Sequence, residues 1–176
     1  MPRQNYKIDQ LLTQLIKQNH TIICQVCKVY YPCDRYRQMD LYNDIIYRIW
    51  KGIDHFKGKS TERTWIYRIA INTAINHYTT DIRIRKNISI TLAMEESLPN
   101  EEDNQLITEL YELIEHLNPL EKAVIYLYLD RKKQVEIGQI LGLSETNVST
   151  IIGRIKSKLR KIKNLLTREW ICVILS

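Results

Sequence analysis

The chain has no long apolar run. Nothing in it approaches the roughly 20 residues a membrane helix needs, and the apolar end from Trp170 to Leu175 is too short to span. The first ten residues, MPRQNYKIDQ, contain no apolar core of the secretory kind. The expectation is a cytoplasmic protein without membrane insertion. Glycine is scarce, five in 176 residues, and never clustered, so there is no glycine-rich phosphate loop. No alternation of apolar and polar residues is sustained, which argues against half-buried strands. Neither a pair of carboxylates nor a nucleophile–base constellation stands out. An enzyme is therefore the least supported reading, and no cofactor is expected.

Cysteine is also sparse, at four: Cys24, Cys27, Cys33 and Cys172. Disulfides are not expected in a cytoplasmic chain. His20, Cys24 and Cys27 have H-x-x-x-C-x-x-C spacing, which can put three zinc ligands on one helix face, with Cys33 as a fourth. The same positions edge the apolar stripe of a helix, where cysteine behaves as a small hydrophobe. No second ligand pair follows, so no metal is expected. A zinc- or thiol-based switch built on these residues is retained as an alternative.

Hydrophobic residues make up 44%, enough for a packed core, and the net charge is +6 with a pI near 9.1. A basic balance favours an anionic partner, nucleic acid or a lipid surface. Arg154, Lys156, Lys158, Arg160, Lys161 and Lys163 crowd one segment, whereas Glu95, Glu96, Glu101, Glu102 and Asp103 crowd the middle.

Apolar spacing predicts helices throughout. Ile8, Leu11, Leu12, Leu15 and Ile16 start one, Ile22, Ile23, Val26 and Tyr30 continue it, and Pro32 stops it. CDRYRQ then reads as a polar loop. Leu41, Ile45, Ile46, Ile49 and Ile53 mark a second helix, with Gly52 and Gly58 at its exit. Ser60 or Thr61 can cap a third, whose buried face is Ile66, Ile69, Ala70, Thr73, Ala74 and His77. Residues 81–104 are polar, then acidic, and read as a linker. Leu106 to Leu117 restart a helix. Asn118, Pro119 and Glu121 form the start of the next, as cap, first position and reciprocal partner.

Residues 134–155, QVEIGQILGLSETNVSTIIGRI, read as a helix, a tight turn and a second helix. Ile137, Leu141, Leu143, Val148 and Ile152 pack the pair, Gly138 allows close approach, Gly142 takes the turn and Ser144 caps the next helix. This is the helix-turn-helix pattern, whose second helix normally enters the DNA major groove. In the first half, Trp65, Arg68, Asn72 and Asn76 share the outward face of the third helix, preceded by the basic FKGKSTERT. Rings, amides and cations together suit single-stranded nucleic acid. The competing reading makes Trp65 and Tyr67 partly buried core and the cations a solvated face.

Residues 40–78, DLYNDIIYRIWKGIDHFKGKSTERTWIYRIAINTAINHY, resemble the promoter-melting domain of bacterial extracytoplasmic-function RNA polymerase sigma factors. Residues 117–162, LNPLEKAVIYLYLDRKKQVEIGQILGLSETNVSTIIGRIKSKLRKI, resemble the domain of that family that reads the upstream promoter element. The resemblance implies an all-α chain of two small helical domains joined by an acidic linker. Residues 1–80 would melt the −10 element and bind the polymerase clamp, 81–104 would link, 105–170 would carry the helix-turn-helix, and 171–176 would be an apolar tail. It implies polymerase contact by Asp40, Leu41, Asn43, Asp44, Arg48 and Trp50, with Leu41 and Trp50 also packing the core. It implies −10 contact, including capture of a flipped base, by Lys57, Ser60, Thr61, Arg63, Thr64, Trp65, Arg68, Asn72 and Asn76. At the −35 element it implies Asn147, Ser149, Thr150, Gly153, Arg154 and Lys156, with Arg154 the reader of a guanine. The sequence departs from the family pattern at Glu62 and Gly153. The implied partners are core RNA polymerase, promoter DNA as duplex and melted strand, and an anti-sigma factor. A stand-alone helix-turn-helix regulator is the alternative, and it leaves the first half without a role.

Overall fold

The computed structural model describes residues 2–56, 58, 60–88 and 114–163. It is all-α, with no strand among the described residues. The chain divides into two compact units, Met1–Pro99 and Asn100–Ser176.

The first unit is a three-helix bundle in which each helix packs on the other two. Helix α1 spans Pro2–Tyr30. It buries the predicted Leu15, Ile22, Ile23, Val26 and Tyr30, joined by Cys27 and Val29, while Leu12 and Ile16 are half-buried and Ile8 and Leu11 lie outside the described side chains. One polar residue enters this stripe: Asn19, whose side-chain amide donates to the Leu15 carbonyl at 2.9 Å. Helix α2 spans Arg35–Gly52, with Leu41, Ile45 and Ile49 fully buried and Ile53 buried in the 3-10 turn that follows. The predicted loop CDRYRQ is therefore mostly helix. Asp34 caps it, accepting from Arg37 N–H at 3.0 Å. Apolar spacing misses this start because Arg35 to Asp40 bury no apolar side chain.

Helix α3 spans Glu62–Ile88. Thr61 caps it, its hydroxyl accepting from Thr64 N–H at 3.2 Å. Its buried face is wider than predicted: Tyr67 and Ile71 join Ile66, Ala70, Thr73 and Ala74, because α3 wedges between two helices. Ile69 and His77 are half-buried. The helix also runs eight residues past position 80, into the stretch read as linker. Asp81 holds that extension, paired with Arg37 of α2. Beside it, the Tyr31 hydroxyl lies 2.8 Å from His77 Nδ1, and Tyr30 and Tyr31 meet Tyr78 edge-on. The ends of α1, α2 and α3 are thus tied by polar and aromatic contacts where the aliphatic core gives out.

In the second unit, α4 spans Pro119–Leu129 and α5 spans Gln134–Leu141, with α6 over Glu145–Lys163. The predicted capping box is present: Glu121 N–H donates to Asn118 Oδ1 at 2.9 Å and Asn118 N–H to Glu121 Oε2 at 3.0 Å. Gly142 closes α5 at φ 71, which glycine adopts without strain. Gly138 is required by space: an added Cβ would lie 2.6 Å from the Leu143 carbonyl oxygen. Ser144 accepts from Asn147 N–H at 3.3 Å. Ile137, Ile140, Val148, Ile152, Ile155 and Leu159 form the core with α4, and Leu141 and Leu143 are half-buried. The predicted helix from Leu106 lies outside the described residues except for its end at Ile114.

Candidate nucleic-acid and polymerase interfaces

The outer face of α2 carries the predicted polymerase contacts Asp40, Asn43, Asp44 and Arg48, all exposed. Trp50 is 49% exposed, its ring 5.9 Å from that of Tyr47. Leu41 is different. It has no exposed surface and belongs wholly to the core. Three residues that sequence reasoning missed share this face: Tyr36, Met39 and Tyr47, at 86%, 58% and 56% exposed. With Asn43 and Trp50 they form a strip at i, i+3, i+7, i+11 and i+14 along one side of the helix. Carrying the helix back to its Asp34 cap would have revealed it.

At the start of α3, Trp65 is half-buried. Its ring lies 5.0 Å from that of Phe56, and its Cζ2 would be 3.2 Å from a Cβ on Gly52. Phe56 was not singled out from sequence, although it is the only phenylalanine in the chain. Gly52 leaves room for the indole on the end of α2. Arg68, Asn72 and Asn76 continue from Trp65 as an exposed line. Thr61 and Thr64 bond through their hydroxyls at 2.9 Å, Ser60 is half-buried, and Arg63 lies over the Tyr67 ring at 5.9 Å. Tyr67 itself is core, 1% exposed. Lys57 lies outside the described residues.

On α6, Asn147, Ser149, Thr150, Gly153 and Arg154 are exposed, opposite the buried Val148, Ile152 and Ile155. Thr150 donates its hydroxyl proton to the Thr146 carbonyl at 2.9 Å, leaving the oxygen as an acceptor. Nothing lies within 4 Å of a Cβ added at Gly153, so no packing requires glycine there. Lys156 is half-buried, with its ammonium 5.4 Å from the centre of the Tyr128 ring. That contact ties α6 to α4. Lys158 is likewise engaged, with Glu121. Two of the six clustered cations thus serve the domain itself.

Residues 15–83 match Sigma-70 region 2 and residues 107–159 match Sigma-70, region 4. The chain belongs to the extracytoplasmic-function sigma factors. It is 29% identical over 131 residues to the RNA polymerase sigma factor YlaC of Bacillus subtilis, covering 69% of this chain and 75% of that protein. It is 27% identical over 146 residues to the extracytoplasmic-function sigma factor SigX of the same organism, covering 77% and 75%. The fold is that of the sigma factor RpoE solved in complex with the anti-sigma factor NepR from Bartonella quintana (TM-score 0.70, 13% identity, 89% of this chain and 98% of that one). As a sigma factor, the chain directs promoter recognition and transcription initiation.

The sulfur–imidazole constellation is only partly assembled. Cys24 Sγ lies 3.4 Å from His20 Nε2, but Cys27 is buried and Cys33 is exposed in the turn after α1. Among the described residues no three metal-binding side chains converge. Burial pushes the Cys27 thiol up to about 12 and raises Cys24 as well, despite Lys28 nearby. Burial thus favours the protonated thiol, the weaker nucleophile, at both positions. Among the described residues no helix is long and apolar enough to cross a membrane.

Proposed function

We propose that this sigma factor works through three surfaces and performs no chemistry of its own. The α2 strip docks on a helical element of core polymerase through Asp40, Asn43, Asp44, Arg48 and Trp50, joined by Tyr36, Met39 and Tyr47. Exposed aromatics rimmed by charge are the composition of interface anchors. Trp65, backed by Phe56, forms a wall against which an extruded −10 base stacks, repaying part of its unstacking cost. Ser60, Thr61, Arg63 and Thr64, with Lys57, hold the strand at the helix start. Arg68, Asn72 and Asn76 then follow the melting junction with charge and amides. At the −35 element, Arg154 bonds bidentately to guanine while Asn147, Ser149 and Thr150 contact neighbouring base edges and Gly153 admits the groove wall. Lys156 contributes less than its position alone suggests, because the Tyr128 ring occupies its ammonium.

One observation carries this reading: Arg68, Asn72 and Asn76 form an exposed polar line running on from the half-buried Trp65, while Ile66, Ala70, Ile71 and Ala74 of the same helix are fully buried. Exposed amides beside a cation suit contact with a nucleic-acid strand. The protein acts in the cytoplasm, residues 81–104, the first eight of them in α3, join its two domains, and an anti-sigma factor covers the α2 strip when transcription is not required. The RpoE neighbour, solved in complex with the anti-sigma factor NepR, supports a partner of that kind.

Mixing the chain with bacterial core polymerase tests the proposal, with run-off transcription over a genomic library. A stable complex with new, discrete start sites is expected. Failure to bind polymerase, with tight binding of the lone chain to palindromic DNA, would favour the stand-alone regulator instead.

A further inference from the structure

The loop between α4 and α5 carries three consecutive cations, Arg131, Lys132 and Lys133, and local conformation disfavours two of them. Arg131 has φ 59 and is the only described non-glycine residue with a positive φ. It closes the end of α4, donating its N–H to the Tyr128 carbonyl at 3.0 Å while Lys132 N–H reaches the Leu127 carbonyl at 3.1 Å. Glycine is the usual occupant of this left-handed position, because a Cβ there crowds the backbone. Lys133 stands at the N-cap of α5, where its side chain makes no capping bond. An ammonium has no acceptor to offer the free N–H groups and sits at the positive end of the helix dipole. The cap is made in reverse, by Glu136, whose carboxylate accepts from Lys133 N–H at 2.9 Å.

Lys132 is half-buried and pairs with Asp130 at 3.4 Å. Arg131 and Lys133 are exposed, and neither has an ion pair among the described residues. Packing among the described residues of this unit therefore does not explain why cations stand where glycine and a hydroxyl or carboxamide residue would be more stable. The loop leads into the first helix of the helix-turn-helix, the helix that crosses the DNA backbone while its partner enters the groove.

We infer that Arg131 and Lys133 bind two DNA phosphates flanking the −35 element. The contact positions the domain without reading sequence. It rests on the sigma reading of the C-terminal unit and adds a site outside the recognition helix.

The test compares wild-type holoenzyme with an Arg131→Gly/Lys133→Ser double variant on one promoter across a salt series, together with thermal unfolding of each full chain. The variant should melt higher, by about 4 °C or more, because strain and the missing cap are both relieved. Its promoter affinity should nevertheless depend less on salt, with a log–log slope shallower by about 1.8, or 0.9 per phosphate. The preferred −35 sequence should not change, and Arg131→Lys should keep its share of the slope. An unchanged slope in a variant that melts higher and still forms promoter complexes would overturn the loop contact alone. A lower melting temperature would overturn its premise that these residues are locally costly. Absence of any specific promoter complex with wild type would overturn the sigma reading and this inference together.

Discussion

Lys158 reaches from α6 to the first turn of α4, placing its ammonium 2.6 Å from Glu121 Oε1 and 2.7 Å from Oε2. Glu121 is the reciprocal half of the capping box at Asn118, so one carboxylate both closes a helix N-terminus and holds the recognition helix. Its side chain is 8% exposed, whereas that of Lys158 is 49% exposed. Glu121→Ala should cost the C-terminal unit about 2 kcal/mol, through lost cap and lost pair together. Lys158→Met should cost about 1 kcal/mol, since the ammonium is half in water. Urea unfolding of the full chain measures both. Lys158→Met should also leave the salt dependence of promoter binding unchanged, because that charge is already spent.

Two glycines in the helix-turn-helix should respond oppositely to alanine. At position 138 the new Cβ meets the Leu143 carbonyl oxygen at 2.6 Å, and a backbone atom cannot swing aside. A loss of about 1–3 kcal/mol is expected. At position 153 the Cβ enters open space, and removing a mid-helix glycine should add about 1 kcal/mol. Thermal unfolding of both variants gives the comparison. A loss at position 153 would mean that this helix face is not free.

Trp65→Ala should separate promoter melting from promoter binding. Losing a base-stacking ring is worth about 1–3 kcal/mol, which is roughly 5- to 150-fold in open-complex formation. Duplex recognition through the −35 element should persist. A 2-aminopurine probe in the −10 strand reads opening, and filter binding on unmelted fragments reads recognition. Gly52→Ala should produce a weaker version of the same split, since its Cβ would meet the indole at 3.2 Å.

Thiol chemistry should be slow where burial holds the proton. Alkylation by iodoacetamide at pH 8, followed by peptide mass mapping, should label exposed Cys33 before half-buried Cys24 and buried Cys27. Because folding raises the Cys27 thiol from 9.0 to about 12, its stabilising effect is complete below pH 9 and disappears as pH rises toward 12. Cys27→Ala should therefore flatten the alkaline loss of stability of the N-terminal unit. An equally steep loss in that variant would assign it to other groups, such as Tyr30 and Tyr31, which burial also raises.

The described helices and the centres of their buried faces were largely legible in the sequence because they depend on local periodicity. Leu41, Ile45 and Ile49 repeat every four residues, and a helix with that stripe has one stable way to face a core. The capping box at Asn118 and the turn at Gly142 were equally local, carried by residues a few positions apart, and the family was legible because its motifs recur in order over residues 40–78 and 117–162. Tertiary structure decided what each exposed or polar group does. Only packing of α4 against α6 engages Lys156 with Tyr128 and Lys158 with Glu121, although all six cations of that segment look alike in sequence. Only the bundle leaves Leu41 no exposed surface and extends α3 through an Arg37–Asp81 pair 44 residues apart. Helix formation and capping are short-range in sequence, whereas burial and ion pairing depend on which helices meet.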